Sequence, residues 1–201
     1  MITGIILAGG ESKRFGSLKQ IYKIEGKSFL EIILTNLDSI SLISEIIIGL
    51  GYEHQTILES INIESPKLKI AINPDYTRGQ LSTLQECIKI ASPYAKGYLV
   101  TLVDHPFVRK QTYFRIINEF INYGMRDIII PTYNNRRGHP VIFPASLKDE
   151  ILNAPLDIGA RYVIKKFDSL VRLINMIDEF ILADIDRIDD LEKIFFKARY
   201  F

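Results

Sequence analysis

Residues 7–19 read Leu-Ala-Gly-Gly-Glu-Ser-Lys-Arg-Phe-Gly-Ser-Leu-Lys, directly after an apolar run. Gly9, Gly10 and Gly16 let the backbone turn sharply and approach a ligand where a Cβ would obstruct it. Successive backbone N–H groups in such a turn form a concavity for anions. Arg14 offers a planar fork for phosphate oxygens, and Lys19 adds a compact second charge. The chemistry implied is a grip on a polyphosphate. The spacing is neither that of a Walker loop nor G-x-G-x-x-G, and Gly26-Lys27-Ser28 lacks the glycine that would have to stand at Ile21. Further along, Asp104 stands in Val-Asp-His-Pro at the end of another apolar run. A carboxylate there faces the first loop and suits Mg²⁺ held against a triphosphate; it equally suits a helix cap or a turn. His105 reads as its neighbour rather than a ligand. Ser82 and Thr83 either donate to a base or ribose or cap the helix they begin.

Such residues need a scaffold that gathers strand ends. Short β-rich runs cover residues 3–7, 45–50, 68–72, 97–103 and 127–131. Helical spacing separates them: Leu30, Ile33, Leu34 and Leu37; Leu81, Leu84, Ile88 and Ala91; Tyr113, Ile116, Ile117, Phe120 and Ile121. Strand–helix alternation with unbroken apolar strands predicts a three-layer, Rossmann-like α/β domain with a mostly parallel sheet. Ligands then bind beyond the C-terminal strand ends, where the polar clusters fall. After Pro131 the pattern changes. Residues 132–138 are turn-like, and 139–143 read as a strand. Residues 145–153 and 159–167 read as helical, 170–174 and 180–183 as strands, and 188–198 as the last helix. Residues 1–201 read as one domain.

The remaining composition mainly excludes. Charge is balanced, 25 basic against 24 acidic side chains, which argues against a nucleic-acid or membrane-surface binder. No apolar run is long enough for a membrane span, and none has the flanks of a secretion signal, so a cytoplasmic location is expected. The lone Cys87 lies on an apolar helical stripe and reads as a structural thiol.

The first loop resembles the L-A-(A/G)-G-x-S-x-R-M-G-x-x-K signature of the MobA-like nucleotidyltransferases, with Phe15 in place of Met. Residues 73–83 are similar to the family's N-P-x-W-x-x-G-M-x-S-S stretch over the nucleotide. Asp104 matches its D-x-P. Residues 138–141 (Gly-His-Pro-Val) and 157–161 (Asp-Ile-Gly-Ala-Arg) resemble G-H-P-V and D-x-G-A-R of its cytidylyl branch, and residues 184–191 its D-I-D-T-P-E-D-L. The resemblance implies a fold of the nucleotide-diphospho-sugar transferase type. It implies Arg14, Lys19 and Asp104 as the catalytic set, and Leu7, Ala8, Gly9, Gly10, Asn73, Gly79, Ser82 and Thr83 with Arg14 and Lys19 around the nucleotide. It puts His139, Pro140 and Arg161 at the acceptor, and Mg²⁺ on Asp104 with Asp186. The implied reaction moves CMP from CTP onto the phosphate of molybdopterin or its molybdenum-loaded form, and the product is expected to pass to a molybdoenzyme or its chaperone. Gly9 replaces the alanine of cytidylyl members, and the missing methyl is expected to leave room for a purine, hence some use of GTP. Guanylyl transfer, a sugar- or alcohol-phosphate acceptor, and a non-catalytic nucleotide-binding module are the rival readings.

Overall fold

In a computed structural model of the chain, residues 1–61 and 64–198 are described. The elements are β1 (Ile2–Ala8), a small hairpin β2 (Lys23–Ile24) and β3 (Lys27–Ser28), α1 (Phe29–Asp38), β4 (Ile43–Leu50), α2 (His54–Ser60), β5 (Leu68–Ile72), α3 (Gln80–Ile90) and β6 (Gly97–Leu102). There follow α4 (Lys110–Asn122), β7 (Ile128–Tyr133), β8 (Arg136–Arg137), β9 (Val141–Pro144), α5 (Lys148–Leu152), α6 (Arg161–Lys166), β10 (Val171–Asn175) and α7 (Ile188–Ala198).

The main sheet runs β10-β7-β9-β6-β1-β4-β5, with β8 paired to β7. The pairs β1/β4, β1/β6, β4/β5 and β10/β7 are parallel; β9 is antiparallel to both β6 and β7. β1, β4 and β6 are buried along nearly their whole length, as strands covered on both faces must be. One face carries Ile6, Ile46, Ile48 and Leu99 against α1 and α4; the other carries Ile5, Ile47, Tyr98 and Val100 against α3, α5 and α6. The expected mostly parallel three-layer α/β architecture is therefore present.

Local chemistry sets the boundaries. α1 starts at a capping box: Ser28 Oγ accepts from Glu31 N, and Glu31 Oε2 accepts from Ser28 N. β9 begins two residues later than expected, after Pro140, which has no N–H to give a ladder. Of residues 180–183, expected as a strand, 180–182 lie in a 3₁₀ turn (Glu179–Leu182) and Ala183 follows it. Buried Asp178 accepts from Phe180 N, Arg109 N and Thr112 Oγ1, which curls this segment onto the start of α4. The polar stretch at 132–138 hides β8, because Asn134 and Asn135 both take positive φ (48° and 61°) and reverse the chain tightly. α2 carried no periodic signal, since Ile57 is the one residue it buries.

Candidate active site

The loop after β1 is held from below. Phe15 is buried with its ring edge-on to Tyr22 and Phe29. Ser12 sits at φ 55°; its carbonyl accepts from Phe15 N and Gly16 N, and its hydroxyl accepts from Lys19 N. Gln20 is fully buried and donates Nε2 to the carbonyls of Ala8 and Gly10, both at 2.8 Å. These two bonds fix the mouth of the loop. Gln20 escaped the sequence reading because an amide beside Lys19 has no motif of its own. Its available signal was an uncharged polar residue between the loop and a hairpin, able to satisfy two carbonyls at once.

Lys19 Nζ lies 2.9 Å from Asp186 Oδ1, and Arg14 Nη1 lies 2.8 Å from Asp186 Oδ2. The Lys19 side chain is 8% exposed against 69% for Arg14, so the lysine contact is the better shielded of the two. Asp186 thus faces the loop's cations rather than capping α7. Asp104 closes β6 from the other side, its Oδ1 2.7 Å from His105 Nδ1. Burial alone would raise the Asp104 carboxyl, but the His105 hydrogen bond and charge, with Lys19 and His139, hold it below its ordinary value. Ile185 N donates to the Asp104 carbonyl at 2.9 Å, which draws the chain before α7 across the strand ends.

Together these residues wall a cavity of about 410 Å³ lined by Gly9, Gly10, Arg14, Lys19, Asp104 and Asp186, with Thr83, Gly79 and Tyr76 from the β5–α3 side. No group of three or more His, Cys, Asp or Glu side chains able to hold a metal occurs among the described residues. Two carboxylates in one cavity with anion-binding cations instead fit a hard cation that takes its remaining ligands from water and phosphate, as Mg²⁺ does.

A second cavity of about 1280 Å³ adjoins the first, between α3, α6 and the sheet, and contains His139, Arg137 and Arg161. His139 N donates to the Ile181 carbonyl, and a Cβ on Gly138 would collide with that same carbonyl. Glycine is what allows the two segments to close. His139 Nδ1 is buried with no hydrogen-bond partner. Burial first, then the His105 charge, push its imidazole down to about 4, with Asp104 and the Val100 backbone opposing. The ring is therefore neutral at neutral pH. Arg161, the first residue of α6, is exposed.

Of the residues singled out from sequence, Leu7, Gly9, Gly10, Arg14, Lys19, Gly79, Thr83, Asp104 and Asp186 line the first cavity, and His139 and Arg161 the second. Asn73, Ser82, Ala8 and Pro140 are buried behind these walls. Asn73 donates to Ser82 Oγ and Thr83 Oγ1, and its own Oδ1 accepts from Asp75 N, so its polar atoms shape the wall. Ser82 Oγ turns to the Gly79 and Asp75 carbonyls. Gly9 differs from expectation: a Cβ there would meet Thr83 Oγ1 at 2.9 Å rather than open space. Its missing methyl makes room for Thr83. Cys87 is buried, its thiol pushed up to about 12, and is structural.

Known proteins share this fold and its family. A probable molybdenum cofactor guanylyltransferase of Geobacillus sp. (strain WCH70) is 28% identical over 116 residues, covering 55% of this chain. The match spans 53% of that relative, so the two share about half its length. The structure of Rv0371c from Mycobacterium tuberculosis H37Rv in complex with manganese aligns with a TM-score of 0.75 at 21% identity, covering 96% of this chain and 97% of that one. A nucleotidyl transferase from Methanothermobacter aligns with a TM-score of 0.80 at 16% identity, covering 100% and 98%. These two establish the shared fold. No helix among the described residues is long and apolar enough to cross a membrane. With residues 4–172 matching the family's own domain model, the chain belongs to the MobA-like NTP transferase family.

Proposed function

We propose that this chain, acting as one transferase domain over residues 1–201, moves a nucleoside monophosphate from a nucleoside triphosphate onto the phosphate of molybdopterin or its molybdenum-loaded form. One observation carries the reading. Arg14, Lys19, Asp104 and Asp186, from three distant segments, wall one cavity, and that cavity opens beside a larger one holding His139 and Arg161. The first suits a triphosphate; the second suits a phosphomonoester on a bulkier body.

The chemistry is in-line displacement. An oxygen of the acceptor phosphate forms a bond to the α-phosphorus, and the bond from that phosphorus to the departing pyrophosphate breaks with its electron pair. Lys19 and Arg14 hold the triphosphate and neutralise its charge, and the fixed loop aligns it for attack. Asp104 and Asp186 would hold Mg²⁺, which supplies further charge neutralisation on the phosphates when bound. Arg161 forks onto the acceptor phosphate, and His139, being neutral, adds a hydrogen bond rather than a charge.

CTP is the proposed donor, on the likeness of residues 138–141 and 157–161 to the cytidylyl branch. GTP is the second reading, favoured by the name of the Geobacillus relative. The product would pass to a molybdoenzyme or its chaperone in the cytoplasm. Pyrophosphate release, measured for CTP and GTP with molybdopterin and with sugar and alcohol phosphates, decides donor and acceptor together. A higher kcat/KM for GTP than for CTP overturns the cytidylyl reading. Turnover of a sugar phosphate in place of molybdopterin overturns the acceptor, and no release with any pair overturns catalysis.

A further inference from the structure

The two cavities share three lining residues, Leu7, Gln80 and Leu102. Leu7 and Leu102 are register partners at the ends of the neighbouring strands β1 and β6, so they form a common apolar floor. Gln80 is the remaining shared residue, and its side chain is the one among the three able to make hydrogen bonds. It is exposed at the first position of α3, directly after Gly79 at φ 97°. Its place is fixed from behind. Asn73 clamps Ser82 and Thr83, and Gln85 donates Nε2 to the carbonyls of Ile151 and Leu152, so the helix that carries Gln80 is tied to both β5 and α5.

We propose that Gln80 is a catalytic residue of the transfer step, donating its amide N–H to a non-bridging oxygen of the α-phosphoryl group at the junction of the two cavities. This rests on the nucleotidyl transfer proposed above. In that reaction the α-phosphorus and the attacking phosphate oxygen must meet where donor and acceptor spaces join, and that place is bounded by two leucines and this amide. An ammonium or guanidinium there would hold both anions tightly in the ground state. A neutral donor instead helps most as charge redistributes over the α-phosphoryl oxygens. The amide gains and loses no proton. The acceptor oxygen supplies the electron pair of the new bond, and pyrophosphate leaves with the pair of the old one.

The test compares the wild type with Gln80→Met, which keeps length and loses the donor, and Gln80→Glu, which adds an anion. Pyrophosphate release is measured with saturating nucleotide and molybdopterin, alongside nucleotide affinity at equilibrium and thermal melting. Each protein is also assayed with the nucleotide bearing sulfur in place of an α-phosphoryl oxygen. Gln80→Met should lower kcat roughly 10²-fold with nucleotide affinity and melting temperature unchanged. Gln80→Glu should lose more. The rate penalty for sulfur should be large in the wild type and much smaller in Gln80→Met. A Gln80→Met enzyme with wild-type kcat and an undiminished sulfur penalty overturns the assignment, as does a loss of nucleotide affinity equal to the loss of kcat. If the wild type releases no pyrophosphate with any donor and acceptor, the reaction itself falls and the assignment with it.

Discussion

Replacing Gly9 by alanine tests how the loop after β1 is seated. The new methyl would lie 2.9 Å from Thr83 Oγ1 and 3.4 Å from both Thr83 Cγ2 and the Gly51 amide nitrogen. Thr83 is buried, and its hydroxyl accepts from Asn73 Nδ2 at 2.9 Å, so it cannot turn away without breaking that bond. Overpacking of this kind costs about 1–3 kcal/mol. At about 2–4 °C per kcal/mol for a chain of this size, melting should fall by several degrees. Thr83→Ala alone should also destabilise, since it strands a buried amide hydrogen, by about 1–3 kcal/mol. The double variant should lose less than the sum, because the atoms that the new methyl strikes are gone; the coupling should reach about 1 kcal/mol or more. Urea denaturation of the four proteins measures it. Additivity within about 0.5 kcal/mol would refute the claim that Thr83 is what Gly9 makes room for. The same four proteins report on the base. If Gly9 acts on donor choice through Thr83, Gly9→Ala shifts the CTP-to-GTP ratio of kcat/KM and Thr83→Ala moves it back.

Three further outcomes are expected. Asp104→Asn should cut kcat by roughly 10²–10³-fold and weaken Mn²⁺ binding in a direct titration, with the fold intact; an enzyme of wild-type rate and metal affinity would remove Asp104 from the metal site. Arg14→Ala should weaken nucleotide binding about tenfold or more, whereas Arg161→Ala should raise KM for the acceptor; both impaired only toward nucleotide would misplace Arg161. His139 gives a pH dependence. Its ordinary value is 6.5 and its folded value about 4, so between those pH values the unfolded chain binds more protons and stability falls as pH falls. The loss is of order 3 kcal/mol by pH 4, and His139→Gln should abolish that part of it in urea denaturation at pH 7.5 and 4.5. An equal loss in both proteins would show that the ring is free to charge.

Legibility followed period and contiguity. The strands at residues 3–7, 45–50 and 97–103 were readable because they are buried on both faces and so carry unbroken apolar runs. The first loop was readable because glycines and cations lie within thirteen consecutive positions. What stayed hidden depends on partners far away in the chain. Residues 180–183 are apolar like a strand, yet the Asp178 carboxylate and α4 decide their shape. The resemblance puts Asn73 at the nucleotide, and Ser82 reads either as a donor to base or ribose or as a helix cap. Only the fold shows that they bond each other and the neighbouring backbone. Gln20 and Gln80 share one side chain and have opposite environments, the first buried with both amide hydrogens spent, the second exposed between two cavities. Sequence alone cannot separate them.

The segment between Asp178 and Asp186 explains why two cavities built from different parts of the sheet lie side by side. It starts pinned to α4 through Asp178. At Ile181 its carbonyl accepts from His139 N and presses on Gly138, which sets the loop of the larger cavity. At Ile185 its amide donates to the Asp104 carbonyl, and at Asp186 its carboxylate meets Lys19 and Arg14. Nine residues therefore touch the loop before β9, the chain after β6 and the loop after β1 in turn. Their strengths differ: a backbone hydrogen bond contributes about 1 kcal/mol and the exposed Arg14 pair less, whereas the bonds to the buried Asp178 carboxylate contribute about 1.5–3 kcal/mol each. Their order along one short chain is what matters: a shift at any one contact is carried to the next, because the chain between them has too few residues to absorb it. The antiparallel β9, inserted between β6 and β7, brings His139 to this strap. An all-parallel sheet would instead have needed a crossover helix at that point.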